Sequence, residues 1–191
     1  MSCTAVILAA GHGRRFREAA GSGRDKLLEP CVGLDGVSRP VLQQVLRNVA
    51  KAGLRCLVVT RANVPERAAL VRAAGLELLL IDSDGMGDSL AAAVQASAGS
   101  EGWLVVLGDM PWVLPETLRA VADDIAAGTV SVPMSARGRG HPVGFGREFA
   151  ARLLALSGDQ GGRRLMTADT VRELWVEDQG IYRDVDLPGD L

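Results

Sequence analysis

The sequence has few of the side chains that build transition-metal sites. It contains two histidines and three cysteines, and Cys3, Cys31 and Cys56 lie at no metal-binding or redox spacing. A zinc site is therefore not expected, and any metal should be a hard cation held by carboxylates. An odd number of cysteines cannot all pair within one chain, so we expect free thiols in a reducing cytoplasm.

The sequence also lacks a large excess of charge of one sign, and it lacks a long apolar run. The formal net charge is −2, which gives no indication of a nucleic-acid or membrane surface. No apolar run approaches the length of a membrane span, and no basic region precedes the first apolar segment. We therefore expect a cytoplasmic protein with no nucleic-acid and no membrane partner.

Short apolar segments alternate with helical patterns along the first two thirds of the 191 residues. Strands are predicted over 4–8, 55–60, 76–81 and 103–107, and helices over 41–51, 66–74, 89–98 and 115–127. This alternation predicts an α/β fold with a doubly wound, mostly parallel sheet. Ligands of such sheets bind beyond the carboxyl ends of the strands, so the loops after Leu8, Ile81 and Leu107 should converge on one crevice.

The pattern changes after residue 128. Strands are predicted over 130–134 and 141–145, followed by a helix over 148–156 and closing strands over 174–177 and 182–185. No repeat, low-complexity tract or linker interrupts the sequence. We therefore expect a single domain, 1–191, with a first part over 1–128 and a second over 129–191.

The first predicted strand ends in small residues, glycines and cations, namely Leu8-Ala9-Ala10-Gly11-His12-Gly13-Arg14-Arg15, with Lys26 downstream. Backbone N–H groups can approach a ligand closely in such a loop, which therefore suits a polyphosphate. The loop is not a dinucleotide fingerprint, because Phe16 stands where the third glycine would be. It is not a Walker A loop either, because no Gly-Lys-Ser/Thr follows. Arg17 and Arg24 are expected on a solvated face.

Two further motifs follow predicted strands. Asp109, in Leu107-Gly108-Asp109-Met110-Pro111, is a candidate metal ligand at a strand end, although a turn aspartate would have the same sequence. The stretch Asp82-Ser83-Asp84-Gly85-Met86-Gly87-Asp88-Ser89 precedes a helix and suits ligand binding at its N-terminus. Ser89 or Asp88 could instead only cap that helix.

Three motifs of the second part are weaker. His141, in Gly140-His141-Pro142-Val143, is either a turn residue or a binding residue. The turn Gly158-Asp159-Gln160-Gly161-Gly162-Arg163 is either surface or a site for an anionic substrate. Alternation places Asp184 and Asp186 on one side of a strand, where Asp186 could supply a second metal ligand.

Taken together, these motifs resemble the molybdenum cofactor cytidylyltransferases, and the resemblance covers essentially the whole chain. The matching elements are Leu8-Ala9-Ala10-Gly11-x-Gly13-x-Arg15…Lys26, Gly85-Met86-Gly87-x-Ser89-Leu90, Leu107-Gly108-Asp109-Met110-Pro111, Gly140-His141-Pro142-Val143, Gly158-Asp159-x-Gly161-x-Arg163 and Asp186-x-Pro188-x-Asp190-Leu191. The chain departs from the pattern over 16–25, which looks like an insertion between Arg15 and Lys26. It departs also in the tail, at Leu187 and Gly189.

The resemblance implies a Rossmann-like nucleotidyltransferase fold that needs Mg²⁺, with Mn²⁺ as a substitute. It assigns catalytic roles to Lys26, Asp109 and Arg15, metal binding to Asp109 and Asp186, nucleotide binding to the first part and acceptor binding to the second. The implied nucleotide-binding residues are Leu8, Ala9, Ala10, Gly11, Gly13, Lys26, Gly85 and Ser89. The implied acceptor-binding residues are His141, Pro142, Asp159, Gly161 and Arg163.

The implied substrates are CTP and the molybdenum cofactor, with a molybdoenzyme or its chaperone as a partner. The related guanylyl transferases carry Gly where this chain has Ala10, which favours CTP over GTP. Guanylyl transfer, a sugar-phosphate nucleotidyltransferase and a non-catalytic cofactor carrier stay open as alternatives. A nicotinamide-dependent oxidoreductase is disfavoured, because the second strand ends at Thr60-Arg61 rather than at an acid.

Overall fold

One large sheet organises the computed structural model of the protein, which describes residues 3–82 and 85–191. The strands are β1 (Cys3–Leu8), β2 (Pro30–Val32), β3 (Ser38–Pro40), β4 (Arg55–Arg61), β5 (Glu77–Ile81), β6 (Gly102–Leu107), β7 (Val130–Ser135), β8 (Gly138–Arg139), β9 (Val143–Gly146) and β10 (Val171–Trp175). The helices are α1 (Arg14–Ala20), α2 (Val41–Lys51), α3 (Pro65–Ala73), α4 (Met86–Ala96), α5 (Pro115–Asp124) and α6 (Ala150–Leu154). Ser83 and Asp84, of the loop predicted to bind a ligand, lie outside the described residues.

The strand order is β10-β7-β9-β6-β1-β4-β5, with β8 paired to β7. β1 lies parallel to β4 and β6, β4 is parallel to β5, and β10 is parallel to β7. Only β8 and β9 run antiparallel to their neighbours among the described strands of this sheet. The predicted α/β fold with a mostly parallel sheet is confirmed. Strands from both predicted parts of the chain join this one sheet, and β2 and β3 form a separate hairpin that the sequence analysis did not predict.

Helices cover both faces of the sheet, which explains why the central strands are continuously apolar. Successive side chains of a strand point to opposite faces. Ile7 accordingly packs in the core cluster that contains residues of α2 and α5, and Val6 in the cluster that contains residues of α4 and α6. Both side chains are fully buried. Burial on both faces fixes the sheet register, and so fixes where the strand ends lie.

Several boundaries differ from the prediction. α4 begins at Met86, three residues before the predicted start, with Gly85 as its N-cap and no side-chain cap. The strand predicted over 182–185 is wrong. The segment Gln179–Tyr182 forms a 3₁₀ helix instead, in which the Asp178 side chain accepts a hydrogen bond from the Gly180 N–H (2.8 Å). The residues that follow, 183–186, have no regular structure, and the Val185 N–H donates to the Asp109 carbonyl (2.8 Å) rather than to a neighbouring strand.

No helix within residues 3–82 and 85–191 has both the length and the apolar character needed to cross a membrane. The three cysteines are free thiols, as expected. Burial raises the pKa of the Cys3 thiol to about 11 and that of the Cys56 thiol to about 12. These thiols are therefore held in the unreactive, protonated form at neutral pH.

Candidate active site

The carboxyl ends of β1 and β6 bring two of the predicted motifs together. Leu8 pairs with Leu107 in the parallel register, and the next residue, Gly108, donates its N–H to the Leu8 carbonyl (3.0 Å). A Cβ at Gly108 would lie 2.9 Å from that carbonyl oxygen and 3.2 Å from the Ala9 Cβ, so only glycine allows this approach. The glycine-rich loop and the Asp109 loop therefore lie side by side.

A first cavity of about 430 Å³ opens at these strand ends. The predicted residues that line it are Leu8, Ala10, Gly11, Gly13, Arg15, Lys26, Gly85, Ser89, Asp109, Asp159 and Asp186. The predicted convergence of the loops after Leu8, Ile81 and Leu107 is thus observed. Ala9 is not in the lining, because it is buried beneath the loop and donates its N–H to the Val59 carbonyl (2.8 Å).

The predicted catalytic cations contact the predicted metal ligands. Lys26 Nζ lies 2.6 Å from Asp109 Oδ2 and 3.8 Å from Asp186 Oδ1. Arg15 NH1 donates to Asp186 Oδ2 at 2.7 Å, and this contact, together with the charge of Asp186, raises the pKa of Arg15. The Lys26 and Asp109 side chains are only 12% and 21% exposed, so the ion pair lies at the bottom of the first cavity rather than at its rim.

Asp186 reaches this cluster along a loop rather than along a strand. The Val185 N–H donates to the Asp109 carbonyl (2.8 Å), and Asp190 Oδ2 accepts the N–H groups of Asp186 (3.0 Å) and Leu187 (2.6 Å). The Asp190 carboxylate therefore fixes the turn that presents Asp186. The departures at Leu187 and Gly189 do not prevent this arrangement.

The residues between Arg15 and Lys26 include most of α1. Phe16 is fully buried in the core cluster that contains α2, and Arg24 lies over its ring and pairs with Glu29 (2.8 Å). Arg24 is exposed, as expected, whereas Arg17 is half-buried. The 16–25 segment is thus anchored to the core by Phe16, and Lys26 still reaches Asp109.

The donor set fits a hard divalent cation. Asp109 and Asp186 offer carboxylate oxygens on either side of Lys26, and Mg²⁺ typically takes one or two protein carboxylates together with substrate phosphates. The described residues form no group of three or more His, Cys, Asp or Glu side chains that could hold a metal. An ion here would therefore complete its coordination with oxygens of water or of a substrate.

A second cavity of about 630 Å³ adjoins the first and shares Leu8, Met86, Leu107 and Asp159 with it. Its lining includes four of the predicted acceptor-binding residues, namely His141, Asp159, Gly161 and Arg163. Pro142 is buried and lines neither cavity. The remaining lining is largely apolar, with Leu90, Val105, Val143, Phe145 and Met166. The second cavity therefore suits a mostly apolar group with a few polar substituents.

His141 lies in the second cavity in a poorly solvated environment. Its Nδ1 is buried without a hydrogen-bond partner, whereas the backbone N–H of His141 donates to the Ile181 carbonyl (3.0 Å). Burial lowers the pKa of His141, against the opposing effect of the Asp109 and Asp184 charges. An unpartnered buried nitrogen is costly for a residue that only forms a turn, so the position favours ligand binding.

The start of α4 joins the two cavities. The Ser89 hydroxyl donates to the Gly85 carbonyl (2.9 Å), so it bonds back along the helix rather than capping it. Asp88 Oδ1 accepts the Gly158 N–H (3.2 Å), and the Gly87 N–H donates to the Gly158 carbonyl (2.7 Å). The Gly158 turn is therefore attached to the helix that borders both cavities.

Two buried residues outside the predicted motifs bind the loops of the first cavity through hydrogen bonds. Asn48 is buried in α2 and donates to the carbonyls of Pro111 (2.9 Å) and Val113 (3.2 Å), beyond Asp109. Arg67 in α3 is buried and donates to the carbonyls of Ala9 and Gly11. The signal for Asn48 was present, because an amide on the apolar face of a helix needs a buried partner.

Comparison with known proteins places this arrangement among the nucleotidyltransferases. Residues 5–174 match the MobA-like NTP transferase domain, and the chain belongs to that family. Rv0371c from Mycobacterium tuberculosis H37Rv has a solved structure that is 30% identical, covers 100% of this chain and 96% of its own, and gives a TM-score of 0.79. A nucleotidyl transferase from Methanothermobacter, Mth528, is 29% identical over 99% of this chain and 94% of its own, also with a TM-score of 0.79.

Curated relatives match over part of their length. The bifunctional protein GlmU of Agrobacterium fabrum is 32% identical over 151 residues, which are 76% of this chain and 31% of GlmU. The chain thus spans about a third of the length of such relatives. These comparisons establish the nucleotidyltransferase family and fold, while the choice of nucleotide and acceptor stays a prediction.

Proposed function

We propose that this nucleotidyltransferase moves CMP from CTP to the terminal phosphate of molybdopterin that carries molybdenum. A phosphate oxygen of the pterin would attack the α-phosphorus, forming a new P–O–P linkage. The bond between the α-phosphorus and the bridging oxygen would break, and pyrophosphate would leave with that electron pair. The chain's own residues bind, orient and neutralise charge, so no covalent intermediate on the enzyme is needed.

The observation that carries this proposal is the adjacency of the two cavities. One is lined by a glycine-rich loop and cations, the other is apolar with a few polar groups, and Leu8, Met86, Leu107 and Asp159 border both. An enzyme that joins a nucleotide to a second molecule needs two such sites with their reacting ends in contact. The acceptor phosphate would then meet the α-phosphate near Leu107 and Asp109.

The cations of the first cavity suit the triphosphate. Lys26 would leave Asp109 and contact the phosphates, and Arg15 would leave Asp186 in the same way, offsetting charge that grows on the pyrophosphate. Because Lys26 is already placed by its carboxylate partner, little further ordering is needed. Backbone N–H groups of the glycine-rich loop would bind phosphate oxygens on the other side.

The freed carboxylates of Asp109 and Asp186 would hold a divalent cation, Mg²⁺ by preference and Mn²⁺ as a substitute. Such an ion supplies charge neutralisation at the α-phosphate and leaving group. Support comes from Rv0371c, 30% identical and with a TM-score of 0.75 for its manganese complex.

Cytidine is favoured by Ala10, which lines the first cavity and is only 4% exposed. Its methyl group takes space that glycine would leave free, which suits a pyrimidine better than a purine. The second cavity suits the pterin, with His141 and Arg163 as its polar contacts. A molybdoenzyme or its chaperone would receive the product.

Pyrophosphate release tests this proposal directly. The protein would be incubated with Mg²⁺, the molybdenum cofactor and each of the four ribonucleoside triphosphates in turn. Release with CTP alone is expected, whereas release with GTP alone would favour guanylyl transfer. No release with any nucleotide would overturn the proposal. Release with a sugar phosphate as acceptor, unaffected by His141→Ala or Asp159→Ala, would favour the sugar-phosphate alternative.

A further inference from the structure

Arg67 is a fully buried arginine. It lies in the first turn of α3 and is 1% exposed, although arginine is seldom fully buried unless it is paired. It lines neither cavity. Such burial of a guanidinium is costly unless its donors are satisfied, so the partners that Arg67 has acquired indicate what it does.

Those partners belong to two segments beside the first cavity, the glycine-rich loop and the stretch that leads to Lys26. Arg67 Nε and NH2 donate to the two oxygens of Asp25 at 2.7 and 2.8 Å, which is a bidentate pair. Arg67 NH1 donates to the carbonyls of Ala9 (2.6 Å) and Gly11 (3.1 Å). One planar guanidinium therefore ties the glycine-rich loop to the residue that precedes Lys26.

The bonds to the loop fix the direction of its peptide groups. In a trans peptide the C=O and the following N–H point in opposite directions. Since the Ala9 and Gly11 carbonyls point at Arg67, the N–H groups of Ala10 and His12 point to the opposite side of the loop. Both of these residues line the first cavity. Arg67 thus orients the loop as an anion-binding site requires.

The bonds to Asp25 fix the position of Lys26. Asp25 Oδ1 accepts the Leu27 N–H at 3.0 Å as well as the Arg67 bond, so the turn around Lys26 is closed by the same carboxylate. The Leu28 N–H also donates to the Asp25 carbonyl (2.9 Å). Lys26 therefore lies inside a turn that the carboxylate and the carbonyl of Asp25 close.

We propose that Arg67 and Asp25 are positioning residues for triphosphate binding, which act by holding the Ala9–Gly11 backbone and Lys26 in one fixed arrangement. This inference rests on the proposed function only in taking the bound anion to be a nucleoside triphosphate. It predicts that the pair matters for binding even where the fold survives without it.

The test separates positioning from stability by comparing two variants. Asp25→Asn leaves a buried guanidinium without its counter-charge, so it should lower the melting temperature. Asp25→Asn with Arg67→Met removes both charges, and replacing a whole buried pair by neutral groups is often tolerated. The double variant should regain thermal stability. It should still bind inorganic tripolyphosphate with Mg²⁺ about tenfold more weakly than the wild type, as measured by calorimetry. An effect of this size is usual between residues that share hydrogen-bond partners.

A cycle with Lys26→Ala adds a measurement that a merely structural role would not move. If Asp25 acts through Lys26, then Asp25→Asn should weaken tripolyphosphate binding much less in the Lys26→Ala background than in the wild type. The matched control is Arg55→Met with Glu77→Asn, which removes a surface ion pair of the same bidentate type (3.2 and 3.3 Å). That variant should bind as the wild type does.

Wild-type affinity in the Asp25→Asn, Arg67→Met variant would overturn the inference, as would fully independent effects of Asp25→Asn and Lys26→Ala. Should the double variant not fold, Arg67→Lys carries the same comparison, because it keeps the charge but loses the bidentate geometry. A wild type that binds tripolyphosphate but releases no pyrophosphate with CTP and cofactor would overturn the proposed function alone. A wild type that binds neither CTP nor tripolyphosphate would overturn both.

Discussion

The two cavities satisfy their polar groups in different ways. In the first, cations and carboxylates of the chain contact one another, as Lys26 does with Asp109 and Arg15 with Asp186. In the second, an apolar lining surrounds His141, whose buried Nδ1 has no partner. In the first cavity, an anionic ligand could therefore pair with the cations of the chain while a metal ion pairs with the carboxylates. The second leaves a polar atom that only a ligand or water can satisfy.

This difference indicates two modes of recognition. Exchanging one charged partner for another costs little desolvation, so a highly charged ligand can bind at the first cavity without leaving an unpaired charge behind. Recognition at the second cavity would come mainly from apolar area, with specificity from a few polar contacts. Substitutions at the first cavity should thus change nucleotide binding and turnover, which depend on charge. Substitutions around the second cavity should change only the binding of the acceptor.

The largest effect should come from Asp109→Asn. We expect Mg²⁺-dependent pyrophosphate release to fall by about 10³-fold, because a cation that stabilises transition-state charge by several kcal/mol loses a ligand. Binding of CTP without metal should be kept, since Lys26 no longer has an ionised partner at 2.6 Å. Asp123→Asn, which breaks the surface pair with Arg119, is the control.

Near-normal turnover by Asp109→Asn would contradict the proposed charge exchange in the first cavity, because its carboxylates would then have no chemical role. Full function of that variant in cells without turnover in vitro would support the non-catalytic carrier instead.

The next largest effect is expected from Lys26→Ala. Loss of one charge-assisted contact is worth about 1.5–3 kcal/mol, so triphosphate affinity and turnover should fall roughly ten- to hundredfold. The Mg²⁺ concentration for half-maximal rate should hardly change. The chain's other lysine, Lys51 at the exposed end of α2, provides the control in Lys51→Ala. Unchanged kinetics of Lys26→Ala would mean that Arg14, Arg15 or Arg24 binds the phosphates instead of Lys26.

A smaller and more selective effect is expected from Gly87→Ala. A Cβ there would lie 2.7 Å from the Gln160 carbonyl and 2.9 Å from the Ser157 N, so the Gly158 turn must move away from α4. Such overpacking typically costs about 1–3 kcal/mol. The KM for the acceptor should rise several-fold while the affinity for CTP, measured by calorimetry, is kept.

Gly99→Ala is the matched control for Gly87→Ala, because a Cβ at Gly99 meets nothing within 4 Å. If Gly87→Ala weakened CTP binding as much as acceptor binding, the two cavities would not bind their ligands independently, and the proposed difference between them would be wrong.

The sequence predicted the central sheet well because its strands are buried on both faces. β1, β4 and β6 read as continuous apolar runs, and α2 was predicted over 41–51 as it is found, since its apolar face repeats at helical spacing. The approach of the glycine-rich loop to Asp109 was likewise expected, because strand ends of a parallel sheet share one edge. Asp186 joins them from a loop, and not from the strand predicted over 182–185.

Other features depended on contacts far apart in sequence. The turn over 179–182 is held by Asp178, one of whose oxygens accepts the N–H of Gly180 while the other accepts the N–H of Leu114, 64 residues away in sequence. The pairing of Arg67 with Asp25 spans 42 residues, and nothing in α3 alone separates this arginine from an exposed one. Tertiary hydrogen bonds, rather than propensity, decided these positions.

The smallest predicted effect concerns the protonation of His141 in the second cavity. Burial lowers the pKa of His141 below its ordinary value of 6.5 in the folded protein. As the pH falls through 6.5 the unfolded chain therefore gains a proton that the folded one does not, and the free energy of unfolding decreases. Urea denaturation at pH 7.5 and 5.5 should show a smaller loss of stability for His141→Gln than for the wild type. Gln95→Ala, at an exposed position of α4 that carries no titratable group, is the control and should keep the wild-type loss. An equal loss in His141→Gln and wild type would mean that the second cavity does not hold a neutral imidazole, and that its polar group is already solvated before any acceptor binds.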